Sequence, residues 1–96
     1  MGRRSLAQEY LDEVPEQEGG EEGTWLVLYD FKGVKPNPRF WSNVKRLSAL
    51  VGDSRLVQYS VFMTGSRRGA VAAVKLVRHY SGEVVVFKDE EVDLSV

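Results

Sequence analysis

Asp30 stands where an apolar run, Thr24–Phe31 (TWLVLYDF), gives way to a glycine-containing loop. A buried strand delivers a side chain at such a point to a mouth or an interface, which makes this carboxylate the first candidate for chemistry. Alone it is a poor ligand for Mg²⁺, a cation that seeks six oxygens and gives up its waters reluctantly. The plainer alternatives are that Asp30 caps the Gly33 loop or pairs with Lys32 or Arg39.

Lys32, Lys35, Arg39, Lys45, Arg46, Arg55, Arg67 and Arg68 form a second candidate set. Cations on loops, on one helix face and at strand ends can grip a polynucleotide backbone, reading phosphate rather than sequence. The plainer alternative for them is a solvated charged face. Ser60 has no evident base near it in sequence, which argues against a nucleophilic serine. His79 is the only histidine and cysteine is absent. A single chain therefore offers no multi-histidine metal centre, no Cys-based zinc site, no thiolate nucleophile and no disulfide.

These residues belong to a chain of 96, 43% hydrophobic and 28% charged, the balance of one globular domain. No apolar run approaches the roughly 20 residues of a membrane span, so no membrane partner is expected. Met1–Leu11 lacks the continuous apolar block of a secretory signal, and with the absence of cysteine this favours a cytoplasmic location. The net charge of −1 conceals an asymmetry. Residues 24–82 carry ten Lys or Arg against Asp30 and Asp53, a balance of +8, between acidic ends of −5 (1–23) and −4 (83–96). A basic middle of this size implies a polyanion-binding face.

We expect residues 1–23 to be a flexible acidic tail and residues 24–96 the folded domain. Inside the tail, Ser5-Leu-Ala-Gln8 has the pattern of a capping box. Leu6, Tyr10 and Val14 recur every fourth residue, which suggests a short amphipathic helix ahead of Pro15 and a Glu/Gly-rich linker. Such a tail either stays solvated or lies on the basic middle and competes with an anionic ligand. A domain as small as 24–96 is marginal alone, which favours association with a second copy.

Thr24–Phe31 predicts an interior strand, apolar on both faces. Asn37-Pro38 opens a helix, with Phe40, Val44, Leu47 and Val51 as its buried stripe and Gly52 as its end. Arg55–Met63 (RLVQYSVFM) alternates as a second strand. Val57, Tyr59, Val61 and Met63 are expected beneath a helix, with Leu56, Gln58, Ser60 and Phe62 toward a partner or groove. Met63–Ser66 leaves little room for a further strand. Residues 67–81 favour a helix over a hairpin strand, Gly82 stops it, and Glu83–Lys88 is another interior strand. Asp89–Val96 is a short edge strand or a tail.

The run Leu26-Val-Leu-Tyr-Asp30, the basic helix Arg39…Lys45-Arg46-Leu47, Gly52, and then Val57-Gln58-Tyr59-Ser60-Val61-Phe62 together resemble the CRISPR-associated endoribonuclease family. That family is the second of the two universal CRISPR adaptation proteins and the partner of the CRISPR integrase. The resemblance covers residues 25–63 and, more loosely, 83–88. It implies a ferredoxin-like α+β sandwich, βαβ(β)αβ, joined as a homodimer through the sheet. It implies that Asp30 meets its counterpart across the dimer axis as metal ligand and catalytic residue. Mg²⁺ or another divalent cation would lie at that interface, with Tyr29, Ser60 and Phe62 lining the site. The function implied is a prokaryotic antiviral-defence protein that holds duplex DNA as a bridge for spacer acquisition. With it comes a metal-dependent phosphodiesterase activity, endonuclease on DNA or endoribonuclease on single-stranded RNA. The alternatives are a toxin-like ribonuclease of the virulence-associated protein D type, and a non-enzymatic dimerisation or regulatory module whose acidic tail recruits a partner.

Overall fold

The computed structural model describes residues 5–15, 23–33, 35–52, 54–58 and 60–89. In chain order these form α1 (Leu6–Glu13), β1 (Thr24–Asp30), α2 (Pro38–Leu50), β2 (Ser54–Gln58), β3 (Val61–Thr64), α3 (Arg67–His79) and β4 (Glu83–Asp89). The strands make one sheet in the order β2-β3-β1-β4, and every neighbouring pair is antiparallel. From β1 onward the chain is a β-α-β-β-α-β succession. No helix among the described residues is long and apolar enough to cross a membrane.

The helices begin where local chemistry starts them. Asn37 accepts a hydrogen bond from Arg39 N at 2.9 Å, and Pro38, which has no N–H to strand, takes the first helical position. Ser66 caps α3 by accepting from Gly69 N at 3.2 Å, and Ser5 caps α1 by accepting from Gln8 N at 3.1 Å. The α2 stripe of Phe40, Val44 and Leu47 is buried as its spacing requires, against Val27, Tyr29 and Phe62 of the sheet and Leu76 and Val77 of α3.

One expected strand is two. Residues 55–63 do not run through: β2 and β3 form an antiparallel hairpin with a register shift between Leu56 and Gln58. Ser60 lies in the connection. The third strand expected to be missing is therefore β3, which starts inside the predicted second strand at Val61 and runs into the following stretch as far as Thr64. Alternation holds, but the two faces are exchanged. Phe62 is buried at 1% and Leu56 packs on the core, while Val57 is 47% exposed. Both faces of the hairpin are apolar, so alternation alone cannot say which lies under the helices. The pairing of Phe62 with Val27 on the helix side decides it.

Within the expected acidic tail, the four-residue spacing of Leu6, Tyr10 and Val14 marks α1, which packs against α2 and α3. Ala7, Leu11 and Val14 are buried at 0, 4 and 6%. Residues 1–4 and 16–22 of the expected tail, and residues 90–96, lie outside the described residues.

The helices cover one face of the sheet, and among the described residues the other is bare. Leu26 and Leu28 of β1 stand opposite Phe87 and Val85 of β4, and opposite Met63 and Val61 of β3. Cross-strand partners share a face. Leu28 is 36% exposed, and Val85 and Phe87 are each 55% exposed. β1 is interior to the sheet, and the described residues cover it on one side only.

Candidate functional site

Asp30 ends β1 on the bare face, directly opposite Glu83 of β4. The chain then turns through two residues in the left-handed region, Lys32 at φ 50° and Gly33 at φ 76°. Lys32 N donates to Asp30 Oδ1 at 3.1 Å, the turn an Asp side chain favours two residues ahead of itself. Lys32 Nζ lies 3.3 Å from Glu83 Oε2, an exposed pair. The loop-capping alternative for Asp30 is therefore realised, and the carboxylate is still exposed at the strand end.

Around it lies an open crevice of about 600 Å³, in which Asp30, Ser60, Glu83 and Arg78 supply the polar groups and Leu28 and Val85 the apolar wall. Two features are held from behind. Tyr29 N donates to Ser60 O at 3.0 Å, fixing the hairpin connection to the strand that carries Asp30. Gly82 leaves α3 so close to Phe31 that a Cβ there would sit 2.8 Å from the Phe31 ring and 2.7 Å from Val77. Arg78 was not among the candidates read from sequence. Its signal was its place in the last turn of α3, where a cation favours the helix dipole.

The structure thus brings together Asp30, Ser60 and Tyr29 of the predicted site. Tyr29 turns its ring inward, edge-on to Phe40 at 5.2 Å and Phe31 at 6.1 Å. Its hydroxyl is buried with no hydrogen-bond partner among the described residues, and burial pushes its pKa up to about 12. Phe62 does not reach the crevice, because it belongs to the core.

The cations divide into three groups. Arg39, Lys45 and Arg46 are exposed on α2, with Lys35 exposed in the loop before it. Arg55 and Arg67 are exposed on β2 and at the start of α3, and Lys32 joins the Asp30 turn. Arg68 is different. Its Nε donates to the carbonyls of Leu11 at 3.1 Å and Val14 at 2.8 Å, and its guanidinium lies 3.8 Å from Asp12. It clamps the C-terminal end of α1.

Lys75 completes that clamp with Glu13 at 2.8 Å, and the Tyr10 hydroxyl shares a 3.0 Å hydrogen bond with His79 Nδ1. Burial, and after it the Glu13 charge, hold the Tyr10 hydroxyl above its ordinary pKa, with Lys75 pulling the other way. At the opposite end Asn43 Oδ1 accepts from Ala7 N at 2.9 Å. Asn43, Arg68 and Lys75 are the residues sequence reasoning did not connect to α1.

No group of three or more His, Asp or Glu side chains that could hold a metal occurs among the described residues. No protein-family model, no curated protein and no solved structure matches the chain.

Proposed function

We propose that the chain works as a symmetric homodimer, closed through the bare face of its sheet, that holds a polynucleotide by its phosphates. This is the role of the CRISPR adaptation proteins it resembles, bridging integrase subunits in the cytoplasm around a DNA duplex. The observation that carries the reading is the apolar face of Leu28, Val85 and Phe87, with Asp30 at its end, which no described residue covers. Exposed large apolar groups in contiguous register mark an interaction surface. The β-α-β-β-α-β succession and the sheet order β2-β3-β1-β4 support the ferredoxin-like arrangement that the resemblance implies. A small domain gains much from burying such a face against a copy of itself.

The divalent cation depends on that dimer. One chain offers Asp30, with Glu83 beside it on the same face, too few oxygens for Mg²⁺. A second copy doubles the carboxylates, and the set then fits a hard cation with water and phosphate oxygens completing the shell. When bound, the cation would lower the pKa of a water and screen the phosphate charge. The protein's own part is to hold Asp30 at a fixed strand end, through the Lys32 turn and the Tyr29–Ser60 bond. The exposed cations of α2 and its preceding loop grip the backbone.

Duplex DNA binding should weaken by about 10²-fold between 50 and 200 mM salt, as contacts to about four phosphates require. Asp30→Ala should keep that binding and lose Mg²⁺-dependent cleavage of DNA or single-stranded RNA, a loss on the order of 10²-fold or more. Fluorescence anisotropy and gel assays with and without chelator measure both. Affinity that is flat with salt would remove the phosphate-holding role, and equal cleavage by both proteins would remove Asp30 from the chemistry. Cleavage of RNA with no affinity for duplex DNA would favour the toxin-like ribonuclease.

A further inference from the structure

Arg68, Lys75 and His79 lie on α3 at i, i+7 and i+11, positions that fall within about 40° of one another around a helix and extend about 16 Å along it. All three face α1, which meets Arg68 and Lys75 with negative charge and His79 with the Tyr10 hydroxyl. Asp12 lies against Arg68, Glu13 against Lys75, and the carbonyls of Leu11 and Val14 accept from the Arg68 guanidinium. Those carbonyls are the negative end of the α1 dipole. Two carboxylates and two carbonyls thus occupy the donors of Arg68 and Lys75, groups that would otherwise be open to the oxygens of an anion.

We infer that this strip is a second polyanion-binding site, and that α1 is a built-in competitor occupying it. The inference rests on the phosphate-holding reading above and adds to it a site and a means of control. α1 is suited to leave. Its eight residues are too few to hold a helix in isolation, so it exists only while docked. Its ion pairs are partly exposed and individually weak. The sequence joining it to β1 contains Glu16, Glu18, Glu21 and Glu22 with Gly19, Gly20 and Gly23, acidic residues that a bound nucleic acid repels. Burial of Ala7, Leu11 and Val14 keeps the docked state dominant in the absence of ligand. When α1 lifts, Arg68 and Lys75 join Arg67 and Arg78 on one helix, and the cationic surface of the domain grows by the strip.

The test uses the full chain and a short labelled DNA duplex. Asp12→Asn with Glu13→Gln keeps α1 helical and removes its competing charges. Duplex affinity should rise about fivefold or more, with a log–log salt dependence steeper by about two, the increment for two added phosphate contacts. Adding Lys75→Gln to that double variant should withdraw most of the gain. Glu9→Gln, a charge removed from the same helix but facing solvent, should change affinity less than twofold. In the unaltered chain, saturating duplex should speed hydrogen exchange at the α1 amides at least tenfold. A double variant that binds no better than Glu9→Gln, or α1 amides that stay protected with duplex bound, would overturn the inference while leaving phosphate holding intact. No duplex binding by any of the proteins would remove the phosphate-holding reading and this one together.

Discussion

Val85→Asp combined with Phe87→Asp should leave a folded monomer. Each side chain is 55% exposed on the bare face of the sheet, so neither contributes to the core formed with the helices. The fold should survive, with an unchanged far-ultraviolet circular dichroism spectrum. Association should not. In a symmetric interface each substitution acts twice, so four apolar groups are lost and four carboxylates must be desolvated. At about 1.5–3 kcal/mol for each large apolar side chain buried, the dissociation constant rises by at least about 10³-fold. Sedimentation equilibrium measures it. A double variant that still sediments as a dimer would place the contact elsewhere than Val85 and Phe87.

Phe40→Ala carries the second large effect, on stability. Phe40 is fully buried and its ring meets those of Tyr29, Phe31, Trp41 and Tyr80 at 4.8–5.9 Å. Truncation leaves a cavity at the centre of this aromatic cluster and should cost about 3–5 kcal/mol. A chain of this size has only about 5–14 kcal/mol of stability to lose. The thermal midpoint should fall by roughly 15–30 °C, read by calorimetry. Because Tyr29 and Phe31 flank Asp30, the same cavity loosens the strand end that carries the carboxylate. A fall of a few degrees would mean that this cluster is not the packing centre.

Local chemistry made much of this fold legible. Asn37-Pro38 and the 40/44/47 spacing specify α2, and Ser66 and Gly82 bracket α3, because caps and helical periodicity are short-range signals. The hairpin was hidden because Tyr59-Ser60 carries none of the Gly, Asn or Asp residues that usually mark a two-residue turn, and apolar alternation continues across it. The helix-side face was hidden because both faces are apolar. Docking of α1, as against a solvated tail, stayed open in the sequence for another reason. Its ties, Asn43 to Ala7 and Arg68 to Leu11 and Val14, span 36 to 57 residues and leave no periodic trace. At the site, Asp30 was visible as a carboxylate at a strand end. Arg78 was not, since only the pairing of β4 with β1 brings the end of α3 to the same crevice.

In the proposed dimer two chains meet bare face to bare face and bring their Asp30 residues together. The chain has no cysteine, so Asp30→Cys is a unique probe, and Lys45→Cys, on the outer side of α2, is its control. Under mild oxidation, Asp30→Cys should form a disulfide-linked species of twice the 10.8 kDa chain mass, and Lys45→Cys should not. Asp30→Cys that stays uncrosslinked in a chain sedimenting at 10.8 kDa would contradict the account.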